Sequence, residues 1–364
     1  MSRPFADELA EKRREMRGSR IHGQPLAPLA ISTGDPGGVG PEIALAVALE
    51  TRHEDPAVLF GDAAALLGRA RELGAADACR VLDPDALSVS AGEVGMVDVG
   101  AAPAEARQHR ATAAGGEAQL RALDAAIAAA SSGRARGLVT APMSKAAVTL
   151  AGHDFVGHTE HLARAAGLAD DDVTMMFLGP RLRVALVTTH IAIADAPREI
   201  TPARVLRSVR HLAAALLRIL PVRAAGAAPR LCVTGLNPHA GEAGLFGDDE
   251  PRAIQPAIDR ARLEPPFSDG RLALEGPTPA ETAFRVAANG GMAGVVAMLH
   301  DQATIASKLL DWGDAVNVTW GLPFVRSSVD HGVAYDAAAS GKIEVAGMRA
   351  ALRMAQLLTR ASSG

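Results

Sequence analysis

Short apolar blocks and longer mixed segments alternate along this chain. LAPLAIS (26–32), AVLFGD (57–62), GLVTAP (137–142) and VVAML (295–299) have strand length, and each runs into polar or turn residues. Helical stretches lie between them: an apolar segment running to Glu50, then 63–73, 112–131, 203–220 opened by Thr201-Pro202, 250–262 and 341–359. A weaker β-rich stretch covers 80–100. VTMMFLG (173–179) and LRVALVTTH (182–190) flank Pro180 as the two arms of a hairpin would. Strands alternating with helices predict an α/β fold with a central, mostly parallel sheet. At 364 residues the chain exceeds one simple core and predicts two domains. Residues 1–25 read as an N-terminal extension, a short polar helix at 6–16 followed by a linker.

Composition narrows the partners. Hydrophobic residues make up 48% and charged residues 21%, an ordinary soluble balance. A net charge of −4 argues against nucleic acid, and 3% aromatics against base or sugar stacking. Cys79 and Cys232 lie far apart and form no metal pair, which suits a reducing compartment. The first twenty residues are charged and lack an apolar signal core. No apolar run approaches the roughly 20 residues a membrane span needs. A cytoplasmic protein without membrane or nucleic-acid partners is expected.

Candidate chemistry gathers where the strands end. Three predicted strands close on a histidine: His190 after ALVTT, His239 after VTGLNP and His300 after VVAML. Side chains at the carboxyl ends of neighbouring strands share one crevice, and three imidazoles there suit a divalent cation. Three separately satisfied histidines fit the spacing equally. Lys308, Asn317 and Arg326, with His158 and Thr159, suit a phosphate or carboxylate. His158 and His161 are three apart but not in H-E-x-x-H, which argues against a zincin. TGDPGGVGPEI (33–43) joins a strand to a helix but is neither G-x-G-x-x-G nor a P-loop. It is either an anion-binding turn or a tight structural turn with Pro41 at a helix start. Asp35 and Glu42 could instead face a cation or a polar substrate.

Eight segments, TGDPGGVGPEI, TAPMSK, GHTEHLA, LVTTH, LNPHAGEAG, GPTPAET, HDQ and GLPFVRSSVDHG, occur in an order that resembles the 4-hydroxythreonine-4-phosphate dehydrogenase family of pyridoxal phosphate biosynthesis. The resemblance runs from about Leu26 to the C-terminus. It implies two α/β/α domains of the isocitrate/isopropylmalate dehydrogenase-like kind. With the residue pattern, this places a domain at 26–140 plus 301–364, holding the Gly-rich turn and the NAD side, and a second at 141–300, holding the histidines and a dimer interface. It implies a homodimer with the active site at the interface, NAD or NADP as cofactor, and one divalent metal per site (Zn, Mg or Co). The implied ligands are His190, His239 and His300, one of them from the partner chain. The implied substrate contacts are His158, Thr159, Lys308, Asn317 and Arg326. Lys145, His158 and Asp301 are the candidates for the catalytic base. The cofactor-binding residues stay unassigned. The implied reaction is oxidation of the C3 hydroxyl of 4-phosphooxy-L-threonine, then decarboxylation to 3-amino-2-oxopropyl phosphate.

The chain departs from the family pattern in two places. Glu281 stands where the family has Asp, and Ala303 follows HDQ where it has Gly. TAPMSK and the LFG at 245–247 are nearer to relatives acting on 4-phospho-D-threonate or 4-phospho-D-erythronate. More distant relatives oxidise dihydrodiol carboxylates, and retention of GHTE, Asn317 and Arg326 favours a phosphorylated substrate over those. A non-catalytic phosphometabolite-binding protein on the same scaffold is the alternative from another class. It would have no need of three strand-end histidines.

Overall fold

A computed structural model describes residues 26–221 and 226–360. The expected extension at 1–25 lies outside the described residues. The described chain divides into two compact units, one of residues 26–170 with 322–360 and one of Asp171–Gly321. The expectation put these crossings after residues 140 and 300 instead. The helix at 145–150 that follows the strand at 137–140 packs on the helix at 113–131 of the same unit, and the helix beginning at His300 packs on the histidine-bearing sheet.

The first unit opens with β1 (Leu29–Ser32), fully buried, and the Gly-rich turn leading into α1 (Gly40–Thr51) with Pro41 in its first turn. β2 (Ala57–Gly61) follows, then α2 (Ala63–Glu72), capped by the Asp62 carboxylate accepting from Ala65 N at 3.0 Å. After β3 (Cys79–Val81) and β4 (Val94–Asp98) comes α3 (Ala113–Ser131), whose cap Thr112 accepts from Gly115 N at 3.0 Å. β5 (Gly137–Thr140), α4 (Lys145–Leu150) and α5 (His158–Ala165) end this passage.

The second unit contains the expected hairpin, β6 (Thr174–Leu178) antiparallel to β7 (Arg183–Leu186). Then come α6 (Pro202–Ile219) capped by Thr201, β8 (Arg230–Thr234), α7 (Gln255–Arg262), β9 (Ala273–Thr278), α8 (Ala280–Ala288), β10 (Gly294–Ala297), α9 (His300–Leu310) and β11 (Val316–Trp320). The chain then returns to the first unit with β12 (Val325–Ser328), α10 (Tyr335–Ser340) and α11 (Ala346–Arg360).

The first unit's strands lie in the order β3-β4-β2-β1-β5-β12, all parallel. The second unit's lie in the order β11-β6-β7-β10-β8-β9, parallel from β7 to β9. Parallel strands covered on both faces must be apolar throughout, which explains the unbroken apolar blocks. Phe60, Leu123, Leu138 and Leu162 anchor the first core, and Phe177, Leu186 and Val295 the second.

Candidate active site

A buried cationic cluster forms in the first unit. Arg326 sits on β12 beside β5 and is 1% exposed. Its guanidinium donates to Thr140 Oγ1 at 2.7 Å. Burial pushes its pKa down to about 9, and the Glu160 carboxylate counters this. His158, the first residue of α5, is neutral at ordinary pH. Burial first, then Arg326, His161 and Lys145, hold its pKa well below the usual value. Its Nε2 is inaccessible and has no partner among the described residues. Buried polar atoms are almost always satisfied, so an orphan beside a guanidinium marks a place for a polar ligand. Lys145, exposed at the start of α4, borders the cluster: its Nζ and Glu160 Oε2 lie 3.5 and 2.8 Å from where a Cβ on Gly157 would stand. Thr159 is buried in the next position.

The Gly-rich turn is closed on itself. Asp35 N donates to Pro142 O at 3.0 Å, Gly37 N to the Asp35 carboxylate at 2.8 Å, Gly38 N to Asp35 O at 3.1 Å and Val39 N to Val333 O at 3.0 Å. A Cβ on Gly38 would stand 2.6 Å from Val333 O, so glycine is what lets this segment approach. The structure thus favours the tight structural turn over an anion cradle. Asp35 is turned inward, its carboxylate taken up by protein groups. It is fully buried and accepts from the hydroxyl of Tyr335, the chain's one tyrosine, at 2.7 Å. Burial raises its pKa, against the Tyr335 and Gly37 hydrogen bonds. Beside the turn opens a cleft of about 180 Å³, lined by Pro36, Leu66, Val99, Arg69, Arg107 and His109 among others.

The histidines belong to the second unit. The strands stop earlier than expected, at Leu186, Thr234 and Ala297, so His190 and His239 stand on the connections beyond their strands and His300 opens α9. Thr188 Oγ1 donates to Met298 O at 2.7 Å and Val187 N to Ala297 O at 2.9 Å. These bonds zip the ends of β7 and β10 together and bring the His190 and His300 rings to 5.7 Å between centroids. His300 Nδ1 donates to Asp301 Oδ1 at 2.8 Å, which leaves Nε2 with its lone pair. Asp301 is therefore engaged in orienting a neighbouring imidazole.

His239 stands elsewhere, with its ring 6.2 Å from Phe246. Among the described residues no group of three or more potential metal ligands is gathered. His239, Ala240, Gly241, Glu242 and Ala243 all have positive φ and form a left-handed turn. Glu250 holds it in place, accepting from Leu236 N at 2.9 Å, Asn237 N at 2.8 Å and Asn237 Nδ2 at 3.0 Å. Sequence reasoning passed over both Glu250 and Tyr335. A buried acid with no apolar periodicity and a lone tyrosine gave only faint signals. Asn317 lies on β11 with Oδ1 buried and unpartnered among the described residues. Lys308 is exposed on α9, its Nζ 5.9 Å above the Trp312 ring. Glu281 is exposed in the first turn of α8.

The family described as pyridoxal phosphate biosynthetic protein PdxA matches residues 53–355. A 4-hydroxythreonine-4-phosphate dehydrogenase of Geobacter metallireducens is 42% identical over 91% of this chain and 95% of that protein. A D-threonate 4-phosphate dehydrogenase of Cupriavidus necator is 38% identical over 92% and 98%. The crystal structure of a 4-hydroxythreonine-4-phosphate dehydrogenase from Burkholderia phymatum superposes with a TM-score of 0.73 at 36% identity, covering 92% of this chain and 99% of that one. Matched along nearly its whole described length in sequence and in fold, the chain belongs to the PdxA family of 4-hydroxythreonine-4-phosphate dehydrogenases and is an oxidoreductase.

Proposed function

We propose that this protein is an NAD(P)- and divalent-metal-dependent dehydrogenase that oxidises the C3 hydroxyl of 4-phosphooxy-L-threonine, with decarboxylation to 3-amino-2-oxopropyl phosphate. The carrying observation is the buried pair of Arg326 and Thr140 with the His158 imidazole beside it, whose Nε2 is buried and without a partner among the described residues, and with the exposed Lys145 at its edge. A buried guanidinium, a planar fork of N–H donors, gains most from a dianion that offers two oxygens to it at once, and a phosphate monoester is one. A diol carboxylate gives such a cluster less to bind. The Cupriavidus relative supports 4-phospho-D-threonate, or its D-erythronate analogue, as the second reading.

Two imidazoles, one backed by a carboxylate, form a fitting partial donor set for a borderline divalent cation. We assign His190, His300 and His239 as ligands in a homodimer, with one imidazole supplied by the second copy. Ile305, Leu309 and Trp312, exposed at 59%, 80% and 78% along one side of α9 and just beyond it, supply apolar surface for that copy to cover. When bound, the cation would polarise the hydroxyl and the later carbonyl oxygen, and the nicotinamide would accept the hydride. The dinucleotide is assigned to the first unit, where the cleft beside the Gly-rich turn offers an apolar slot rimmed by arginines.

The chain's own residues do the rest. Arg326, His158 and Thr159 hold the phosphate, and Lys308 and Asn317 contact the same substrate. Fixing the phosphate orients the C3–H bond. Lys145 receives the hydroxyl proton, since Asp301 is engaged with His300 and His158 is assigned to the phosphate. Two unpaired thiols, Cys79 and Cys232, suit a cytoplasmic enzyme.

Reduction of NAD and NADP is to be followed with 4-phosphooxy-L-threonine, 4-phospho-D-threonate and 4-phospho-D-erythronate in parallel, with and without a chelator. Turnover of the first, lost on chelation and restored by added cation, is expected. Tight binding of all three without turnover would identify a phosphometabolite-binding protein instead.

A further inference from the structure

Two histidine–carboxylate pairs tie the segment around α5 to α3, and the chemistry above uses neither. His153 Nε2 lies 2.8 Å from Glu117 Oε1, and His161 Nε2 lies 2.7 Å from Asp124 Oδ1. Glu117 and Asp124 are seven residues apart on α3, two turns, so they share a face. A carboxylate only accepts, so each imidazole donates. His161 and Asp124 are 24% and 53% exposed, and pairs so open to water contribute little to global stability.

The second pair leads inward. The His161 ring lies 5.4 Å from Phe155, tilted by 46°. Phe155 in turn meets His158 at 5.9 Å and 75°, an edge contact. Phe155 is 7% exposed and packs in the core with Leu123 of α3 and Leu162 of α5. A line of direct contacts therefore runs from Asp124 through His161 and Phe155 to His158. It ends on the imidazole whose Nε2 is orphaned beside Arg326. Aromatic edge contacts are directional, so the tilt of His161 constrains Phe155, and Phe155 constrains the His158 plane.

We propose that Asp124, acting through His161 and Phe155, is a positioning residue that sets the His158 imidazole for the phosphate of the substrate. This rests on the phosphate reading above. Because Asp124 and His161 touch no reacting atom, their effect belongs in substrate binding and not in the chemical step.

The test is steady-state kinetics of the full-length enzyme with 4-phosphooxy-L-threonine at saturating NAD, beside melting temperatures. The variants are Asp124→Asn, Asp124→Glu, His161→Phe and His158→Ala. Asp124→Asn and His161→Phe are expected to raise KM roughly three- to tenfold with kcat within about twofold. Asp124→Glu is expected to recover most of the loss, and the double variant Asp124→Asn/His161→Phe to be no worse than either alone. Wild-type KM in Asp124→Asn, while His158→Ala raises KM, would overturn the positioning role and leave the phosphate reading standing. Wild-type KM in His158→Ala would remove the phosphate reading and the proposal together. A lowered melting temperature with a KM that Asp124→Glu fails to recover would mark a purely structural pair and also overturn it.

Discussion

Replacing Glu250 by alanine should release the loop that carries His239. Five consecutive residues there, His239 to Ala243, wind left-handed, and all but Gly241 carry a Cβ. At roughly 1–2 kcal/mol for each non-glycine residue, the turn stores about 4–8 kcal/mol. Glu250 opposes that cost. It is 4% exposed, and its two oxygens accept from Leu236 N, Asn237 N and Asn237 Nδ2 at 2.9, 2.8 and 3.0 Å. Hydrogen bonds to a charged acceptor contribute about 1.5–3 kcal/mol each, so these three offset roughly the whole strain. Glu250→Ala removes them and leaves two backbone N–H groups without an acceptor. The turn should relax toward ordinary backbone while the rest of the second unit stays folded. Native-state hydrogen exchange resolves this. Amides of 236–246 should exchange faster by about two orders of magnitude or more, with the peptides of β7 and β10 unchanged. Zn²⁺ affinity, titrated calorimetrically, should fall with it, and Glu250→Gln should be intermediate because its amide keeps one acceptor oxygen. Unchanged exchange at 236–246 in Glu250→Ala would refute the reasoning.

Further expectations follow from other buried groups. Asp35 is held above its ordinary pKa, so the folded state binds the proton more tightly than the unfolded state. Its contribution to stability is therefore fully present below about pH 3.8 and is lost as pH rises through the folded value. Asp35→Asn, which cannot ionise, should gain in melting temperature relative to wild type between acid and neutral pH, and parallel melting curves would contradict this. Arg326→Lys keeps the charge but loses the planar fork, and should raise KM for the phosphorylated substrate about tenfold or more with kcat nearly unchanged. An equal loss in kcat would instead place Arg326 at the reacting carbon. Asp301→Asn removes the carboxylate behind His300 Nδ1 and should weaken divalent-cation binding about 10- to 100-fold by titration, with wild-type affinity counting against the assigned ligand.

The local vocabulary of the chain was legible in its residues. Thr112 and Thr201 cap the helices their positions predicted, because a hydroxyl before an apolar run satisfies an N–H that the helix leaves open. The unbroken apolar blocks became parallel strands buried on both faces, and 174–186 became a hairpin. Histidines beyond strand ends, and Arg326 in an apolar setting, named the candidate chemistry. Long-range choices were not legible. Asp35 looked free to face a ligand until Tyr335, 300 residues on, took one of its oxygens. The Gly-rich turn looked open to an anion until Val333 and Pro142 accepted its N–H groups. The left-handed turn at 239–243 is built partly from alanine and glutamate, whose local preference is the opposite hand, so only the distant acceptor on Glu250 decides it. Sequence by itself determined which elements form and which side chains are chemically able. The tertiary structure alone decided which of those groups are already satisfied and which, like His158 Nε2, are left without a partner among the described residues, because hydrogen-bond saturation depends on neighbours that the chain brings in from afar.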